Sequence, residues 1–349
     1  MTSVIAVDAM GGDNAPEEVV QGAMIAANQL SNIKLLLIGN KKAIEEELGK
    51  RDIPFIFDII HTDEIIMMDE NPKIAIKSKP NASINIGAKL GNDEKIDALV
   101  SAGNTGALIL AAATHIPLIE GIERAALATI YPTAKSESHK SNFSLMLDVG
   151  ATLKCTTKQL VHFAFMGNSY LSDIFGINKP TIGLLNIGEE DTKGGEVLMN
   201  TFKLLKKSKE LNFIGNIEGK DIPRGIADIV VTEGFTGNVV LKMLEGFGDV
   251  IKETARYAFK KKLTWKIAMT LVAPTLKKIK QTIDYSEYGG APLLGFKKLI
   301  IKAHGRSNAK AIANAIRVAA ISSEQKISQK IENTISKFNL KYALDFSEI

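Results

Sequence analysis

The chain is poor in several things, and each shortage closes a route. One cysteine, Cys155, in 349 residues rules out an internal disulfide and fits a reducing cytoplasm. No family cysteine signature surrounds Cys155, so a buried or idle thiol is expected there rather than a nucleophile. Aromatic residues make up 6%, with a single tryptophan, Trp265, and no aromatic RNA-binding motif. No apolar run approaches the ~20 residues that cross a bilayer, and Met1 leads straight into a strand-like segment, so no signal peptide is expected. Charge of one sign is not in excess either: 43 Lys and Arg face 39 Asp and Glu, a net +4 too mild to imply a nucleic-acid partner. Neither Gly-x4-Gly-Lys-Ser/Thr nor His-Glu-x-x-His occurs, which disfavours a P-loop enzyme or a zinc hydrolase, and no metal site is expected. A nicotinamide dehydrogenase lacks its Gly-x-Gly-x-x-Gly with an acidic residue ~20 positions on.

What is present reads as an α/β protein. At 45% hydrophobic and 23% charged, the chain can bury a large core, and residues 1–349 are expected to form a single unit. Short apolar runs alternate with helical periodicity from end to end. Examples are the runs at Val4–Val7, Lys34–Ile38, Phe55–Ile60, Ala126–Tyr131, Leu145–Asp148, Thr181–Gly188 and Leu299–Lys302. Such alternation predicts one mostly parallel sheet covered by helices on both faces. The segment from Lys73 to Asn81 reads as a basic loop, solvated or closing over an anion, and Tyr288–Gly295 as a turn cluster.

One pattern occurs twice. Asp97 to Leu110 aligns without gaps on Asp228 to Leu241: Asp, apolar run, hydroxyl residue, any, Gly, any, Thr, Gly, any, apolar run. A strand, a glycine turn and a helix N-terminus together aim free N–H groups at one point, which suits an anion such as phosphate; the plainer alternative is that a tight strand-to-helix turn needs glycine. The candidate contacts are Ser101, Gly103, Asn104, Thr105 and Gly106 in the first copy, and Thr236, Gly237 and Asn238 in the second. Asp8, Gly11, Gly12 and Asn14 follow the first strand, although Asp13 or Asn14 could simply cap the next helix. Lys193, between acidic residues and two glycines, is a candidate oxyanion or phosphate contact or a surface lysine. His304, with Ser307 and Asn308 after the last strand, is a candidate acid, base or phosphate donor. All these loops follow strands, so one common rim is expected.

Residues 250–283 stand apart. Ile251, Ala255, Phe259, Leu263, Ile267 and Leu271 recur every four residues among Lys260, Lys261, Lys262 and Lys266, and Pro274 interrupts the helix. This predicts a protruding basic amphipathic helical hairpin, fit for an anionic membrane surface, an acidic protein or a dimer interface.

Taken together, Ala6–Asp13, Ser101–Leu108, Leu185–Glu189, Gly234–Leu241, Tyr288–Gly295 and Lys302–Asn308 resemble the bacterial phosphate acyltransferase (PlsX) family, in order along nearly the whole chain. Three stretches depart from its usual pattern: Thr152 stands where Asn is expected, Arg124-Ala125-Ala126 has Ala where Pro is usual, and Glu233 stands where Asp is. The resemblance implies a Rossmann-like fold similar to phosphotransacetylases and the isocitrate dehydrogenase group. It implies transfer of a fatty acyl group from acyl-acyl carrier protein to inorganic phosphate, with no cofactor. It also implies a homodimer, acyl carrier protein as partner, a membrane glycerol-3-phosphate acyltransferase as recipient of the product, and a cytoplasmic enzyme peripherally associated with membrane. A phosphotransacetylase-like enzyme using acyl-coenzyme A is the nearest rival; a non-catalytic membrane scaffold would leave the polar loops unexplained. For the hairpin, replacing Leu263, Trp265 and Leu271 together by Ser is expected to abolish co-sedimentation with anionic liposomes; unchanged binding assigns the hairpin another job.

Overall fold

The structure, a computed structural model, describes residues 2–49, 56–134, 142–261 and 289–342. Its elements run β1 (Ser3–Asp8), α1 (Glu17–Gln29), β2 (Ile33–Gly39), α2 (Lys41–Leu48), β3 (Phe57–His61), α3 (Pro72–Ser78), α4 (Ser83–Asn92), β4 (Ala98–Ser101), α5 (Thr105–His115), β5 (Ala126–Leu127), β6 (Thr129–Pro132), β7 (Phe143–Leu147), α6 (Thr157–Phe175), β8 (Thr181–Leu185), α7 (Gly195–Lys207), β9 (Asn212–Ile217), β10 (Ile229–Val231), α8 (Gly234–Lys261), β11 (Ala291–Leu294), β12 (Leu299–Lys302), α9 (Ala309–Glu324) and α10 (Ile327–Lys341).

The alternation is the one expected, but the strands form two sheets, not one. The first has the order β3-β2-β1-β4-β12-β11-β5 and the second β6-β7-β10-β8-β9. Both are parallel except at one side: β11 runs antiparallel to β12 and β5, and β6 antiparallel to β7. The apolar run at Ala126–Tyr131 is what splits the strands between sheets. Its first two residues pair with β11 in the first sheet; one residue later the same run pairs with β7 in the second. Apolar periodicity cannot register a strand that changes partners midway. The buried core nevertheless runs through both sheets, from Val7 and Leu35 to Leu147, Leu184 and Val231.

Two further expectations change. Residues 73–81 are mostly helical: Asn71 caps α3 by accepting from the Lys73 and Ile74 N–H groups, and Pro72 sits where a missing N–H costs nothing. Lys79 is pinned by a 2.6 Å ion pair to Glu70 and a 2.7 Å bond to the Ile65 carbonyl. The segment ending at Gly295 carries β11, an antiparallel strand, rather than a turn cluster. Of the hairpin, Lys260 and Lys261 lie in the last turn of α8, whereas Lys262, Leu263, Trp265, Lys266 and Leu271 fall outside the described residues. Among the described residues no helix is long and apolar enough to cross a membrane.

Helix α6, which the sequence reading did not place, is buried on most sides: His162, Phe163, Ala164, Phe165 and Met166 are buried in succession. A capping box of Thr156 and Gln159 starts it and left-handed Gly176 ends it. His162 bonds Asn339 of α10 at 2.9 Å, and burial pushes its pKa down to about 4. The folded chain therefore keeps the ring neutral where the unfolded chain, with a pKa of about 6.5, takes up a proton. Stability is expected to fall as pH drops from about 6.5 to about 4, by about 3 kcal/mol in full. Denaturant titrations of His162→Gln across that range should show this slope removed; an unchanged slope would place the acid sensitivity elsewhere.

Candidate active site at the strand ends

Three neighbouring parallel strands of the first sheet end in one row. In register, Asp8 of β1 pairs with Ser101 of β4, and Ser101 with Lys302 of β12. Equal register puts three side chains on the same side of the sheet, and all three are buried. The Ser101 hydroxyl donates to Asp8 Oδ2 at 2.6 Å and accepts the Gly103 N–H at 3.0 Å. The Met10 N–H reaches Asp8 Oδ1 at 3.3 Å. Lys302 Nζ donates to the carbonyl of Ala102 at 3.1 Å and to that of Ala303. Burial raises the Asp8 pKa against the pull of Ser101, Ser83, Met10 and Lys302, and burial lowers that of Lys302 to about 8 against Asp8 and Asp13.

Loops close over this row. The Asp13 N–H donates to the Gly305 carbonyl at 2.8 Å, so the β1–α1 and β12–α9 loops are tied together. A Cβ on Gly11 would stand 2.4 Å from Asp8 Oδ2 and 2.7 Å from the Gly103 nitrogen, so only glycine fits at that junction. Helix α1 takes no cap from Asp13 or Asn14: its capping position is Pro16, with no side-chain bond, and Asn14 is exposed. Asn104 caps α5 through the Ala107 N–H and holds the 67–70 loop by donating to the Met68 and Glu70 carbonyls, each at 3.1 Å. Thr105 opens α5 exposed, and Gly106 lies against Pro72. Helix geometry leaves the first-turn N–H groups of α5 without intrahelical acceptors, with the positive end of the dipole beside them.

His304 is exposed above the row. The Arg306 N–H donates to its Nδ1 at 3.2 Å, which leaves the proton of the neutral ring on Nε2. Loss of water around the ring, then the charges of Lys302, Lys242 and Arg306, lower its pKa, while Glu245 opposes them. The neutral ring is thus a donor from Nε2. Ser307 donates its N–H to the His304 carbonyl at 3.0 Å, and Asn308 caps α9 through the Ala311 N–H.

The second sheet repeats the corner in outline, although the Thr232 hydroxyl donates to the Glu233 carbonyl and not to Asp148. Asp148, just past β7, lies beside Thr232, just past β10, through a 2.8 Å bond between the Asp148 N–H and the Thr232 carbonyl. On the other side of β10, register continues to Leu185 of β8, where the first sheet has Lys302. Both Asp148 and Leu185 are buried. Asp148 accepts four N–H groups, from Leu127, Gly150, Ala151 and Thr152, which oppose the upward push of burial on its pKa. It is a structural hub. The leading aspartates of the repeat act alike as well: Asp97 accepts the Val4 N–H at the start of β1, and Asp228 accepts the Thr181 N–H at the start of β8, each at 2.8 Å.

The two rims are linked where the chain crosses between the sheets. The chain crosses from sheet to sheet along β5 and β6, and β7 returns antiparallel, so Asp148 comes back to the crossing point and meets the Leu127 N–H. Helix α8 then brings Lys242 and Glu245 close enough to act on His304. The candidates expected on a single rim are therefore divided between two, one at the strand ends of each sheet.

Comparison with known proteins fits this architecture. Residues 3–330 match the family described as "Fatty acid synthesis protein". Proteins named "Phosphate acyltransferase" are 43% identical in Thermoanaerobacter pseudethanolicus, over 90% of this chain and 92% of that one, and 42% identical in Pelotomaculum thermopropionicum, over 97% of each. The chain belongs to the phosphate acyltransferase family. Among solved structures, a phosphotransacetylase from Streptococcus pyogenes superposes with a TM-score of 0.59 at 16% identity, covering 93% of this chain and 94% of that one. A branched-chain phosphotransacylase from Enterococcus faecalis gives 0.51 at 13%, covering 93% and 99%. These likenesses establish the shared fold.

Within the phosphate acyltransferase frame, the remaining candidates lie on the second rim. Lys193 is exposed in the loop after β8, its carbonyl held by Asn186 Nδ2 at 3.1 Å. Thr236 donates to Glu233 at 3.2 Å, Asn238 is exposed near Gly150, and a Cβ on Gly237 would fall 1.9 Å from the Asp148 carbonyl. Thr152, one of the departures from the family pattern, ties its hydroxyl to the Ala125 carbonyl at 3.1 Å. Lys302 is the residue that sequence reasoning left as a strand terminus; its signal was a lysine closing an otherwise apolar buried strand. The Cys155 thiol is pushed up to about 12, first by burial and then by Asp148. It is expected to resist iodoacetamide at pH 8 in the native chain and to react on unfolding; rapid native alkylation would contradict that environment.

Proposed function

We propose that this chain transfers a fatty acyl group from acyl-acyl carrier protein to inorganic phosphate, giving acyl phosphate. The observation that carries the reading is the inequality of the two corners. The first holds a buried lysine, a serine and unsatisfied helix N–H groups, which suit an oxyanion. The second has Leu185 in the lysine's place, and Leu153, Ile187 and Phe235 stand exposed around it. That lip suits an acyl chain.

The chemistry asks little of the protein. Phosphate is already anionic at neutral pH, and a phosphate oxygen attacks the thioester carbonyl directly. The thiolate leaves with an intrinsic pKa of about 8.5, so little acid help is needed. The bond formed is O–C(acyl), the bond broken is C–S, and no enzyme nucleophile intervenes. Catalysis is then positioning and charge stabilisation. His304 offers its Nε2–H, and Lys193 its ammonium, to phosphate or to the tetrahedral oxyanion. No cofactor or metal enters these steps.

The partners follow from the same reading. Helix α8 exposes Val239, Met243, Phe247 and Ile251 at four-residue spacing, a stripe that supports a homodimer. Acyl carrier protein delivers the substrate, and a membrane glycerol-3-phosphate acyltransferase consumes the product, with the basic hairpin at an anionic membrane surface; the enzyme is cytoplasmic and peripheral to the membrane. The shared fold with phosphotransacetylases keeps acyl-coenzyme A as the second donor to test.

Thiol release should require both acyl-carrier protein and inorganic phosphate, and should be slower by at least tenfold with the matching coenzyme A thioester. Lys193→Ala is expected to lower turnover at least ~100-fold, the scale of one lost oxyanion donor. Phosphate-independent release, or wild-type turnover in a folded Lys193→Ala variant, would remove the reaction or the residue respectively.

A further inference from the structure

Lys302 has a hydrogen-bonding capacity that the fold does not use. An ammonium has three N–H groups. Two reach the carbonyls of Ala102 and Ala303, and among the described residues no protein acceptor takes the third. Among the described residues no carboxylate lies in ion-pair contact with it: Asp8 is engaged with Ser101 and the Met10 N–H, and Asp8 and Asp13 act on it only from a distance. A buried cation without a counter-ion is expensive, and a protein that needed only to join two loops could do so with a neutral donor. The two carbonyls that Lys302 holds lie in the β4–α5 and β12–α9 turns. Its ammonium is therefore fixed where the Gly11–Gly12, Gly103 and Gly305 loops meet, beside the N-terminus of α5. The corresponding place in the second sheet is Leu185, so the repeated scaffold stands without a cation there.

We propose that the third N–H of Lys302 is the buried cationic contact for the phosphate substrate, with the first-turn N–H groups of α5 completing the cradle. This rests on the acyl-to-phosphate reading and deepens it by assigning phosphate to the first rim and the acyl group to the second. Lys302 is a catalytic residue in this scheme because it touches the nucleophile; it transfers no proton.

The test uses the full chain as wild type, Lys302→Met and Lys302→Arg, with folding checked by circular dichroism. Two quantities are read: the phosphate dependence of thiol release, and the rise in thermal midpoint caused by inorganic phosphate alone. Lys302→Met should raise the KM for phosphate at least tenfold, leave the KM for acyl-carrier protein within twofold, and abolish the thermal shift. Lys302→Arg should recover part of both. A residue that only braced the loops would change both KM values, or kcat alone, and would not be rescued selectively for phosphate. A folded Lys302→Met with wild-type phosphate KM and thermal shift overturns the proposal.

Should Lys302→Met fail to fold, wild-type pH dependence decides. Burial lowers the Lys302 pKa to about 8 against Asp8 from β1 and Asp13 from the next loop, and His304 of its own loop also faces it. The phosphate KM should rise tenfold per pH unit well above that value; a KM flat to pH 9.5 overturns the assignment. If wild type releases no thiol in response to phosphate, the reaction fails, and the phosphate thermal shift alone then judges the site.

Discussion

The row Asp8–Ser101–Lys302 governs this molecule because it places an acid and a cation inside a sheet that is otherwise apolar. Parallel strands end with carbonyl and N–H groups that no neighbour completes, and helices start there with free donors. The first sheet concentrates these demands at three adjacent strands. The Ser101 hydroxyl stands between Asp8 and the Gly103 N–H, and Lys302 spans two turns. The close packing of glycine loops around the row, down to the missing Cβ of Gly11, follows from giving those groups partners without admitting bulk.

The second sheet shows which parts of that arrangement belong to the scaffold. It keeps the clamp of a leading aspartate on a neighbouring strand, the hydroxyl residue, the glycines and the helix start. It surrounds its own carboxylate, Asp148, with four N–H donors and so makes it a hub. A leucine then fills the third place. The same local module thus gives a polar corner in one sheet and a less polar one in the other: Leu185 replaces the lysine, and Thr232 replaces the serine with its hydroxyl turned to the Glu233 carbonyl.

That division suits a reaction between an oxyanion and a fatty acyl thioester. Neither reactant needs activation by a covalent intermediate, and the one thiol in the chain is held far from its reactive form. What such a reaction needs is two sites of opposite character across a short gap. The two corners, one in each sheet and linked at the β5–β6 crossing, supply the opposite characters, and α8 starts at the second and carries Lys242 and Glu245 near enough to act on His304 of the first.

By itself the sequence determined most of the succession of strands and helices, the doubled strand-turn-helix motif and the idle character of Cys155. These depend on local periodicity, turn glycines and the lack of any cysteine signature around Cys155. It also named the loops that carry Asp8, Ser101 and His304. It could not assign the strands to two sheets, because Ala126–Tyr131 changes partner at Ala128, and partner choice leaves no mark on apolar spacing. It did not place α6, a helix buried on most sides whose His162, Asn168 and Ser169 interrupt the apolar run. It left Lys302 as a strand end, since a lysine's meaning lies in which strands flank it. Only tertiary structure set β1 and β12 on either side of β4, and so turned three residues distant in sequence into one charged row.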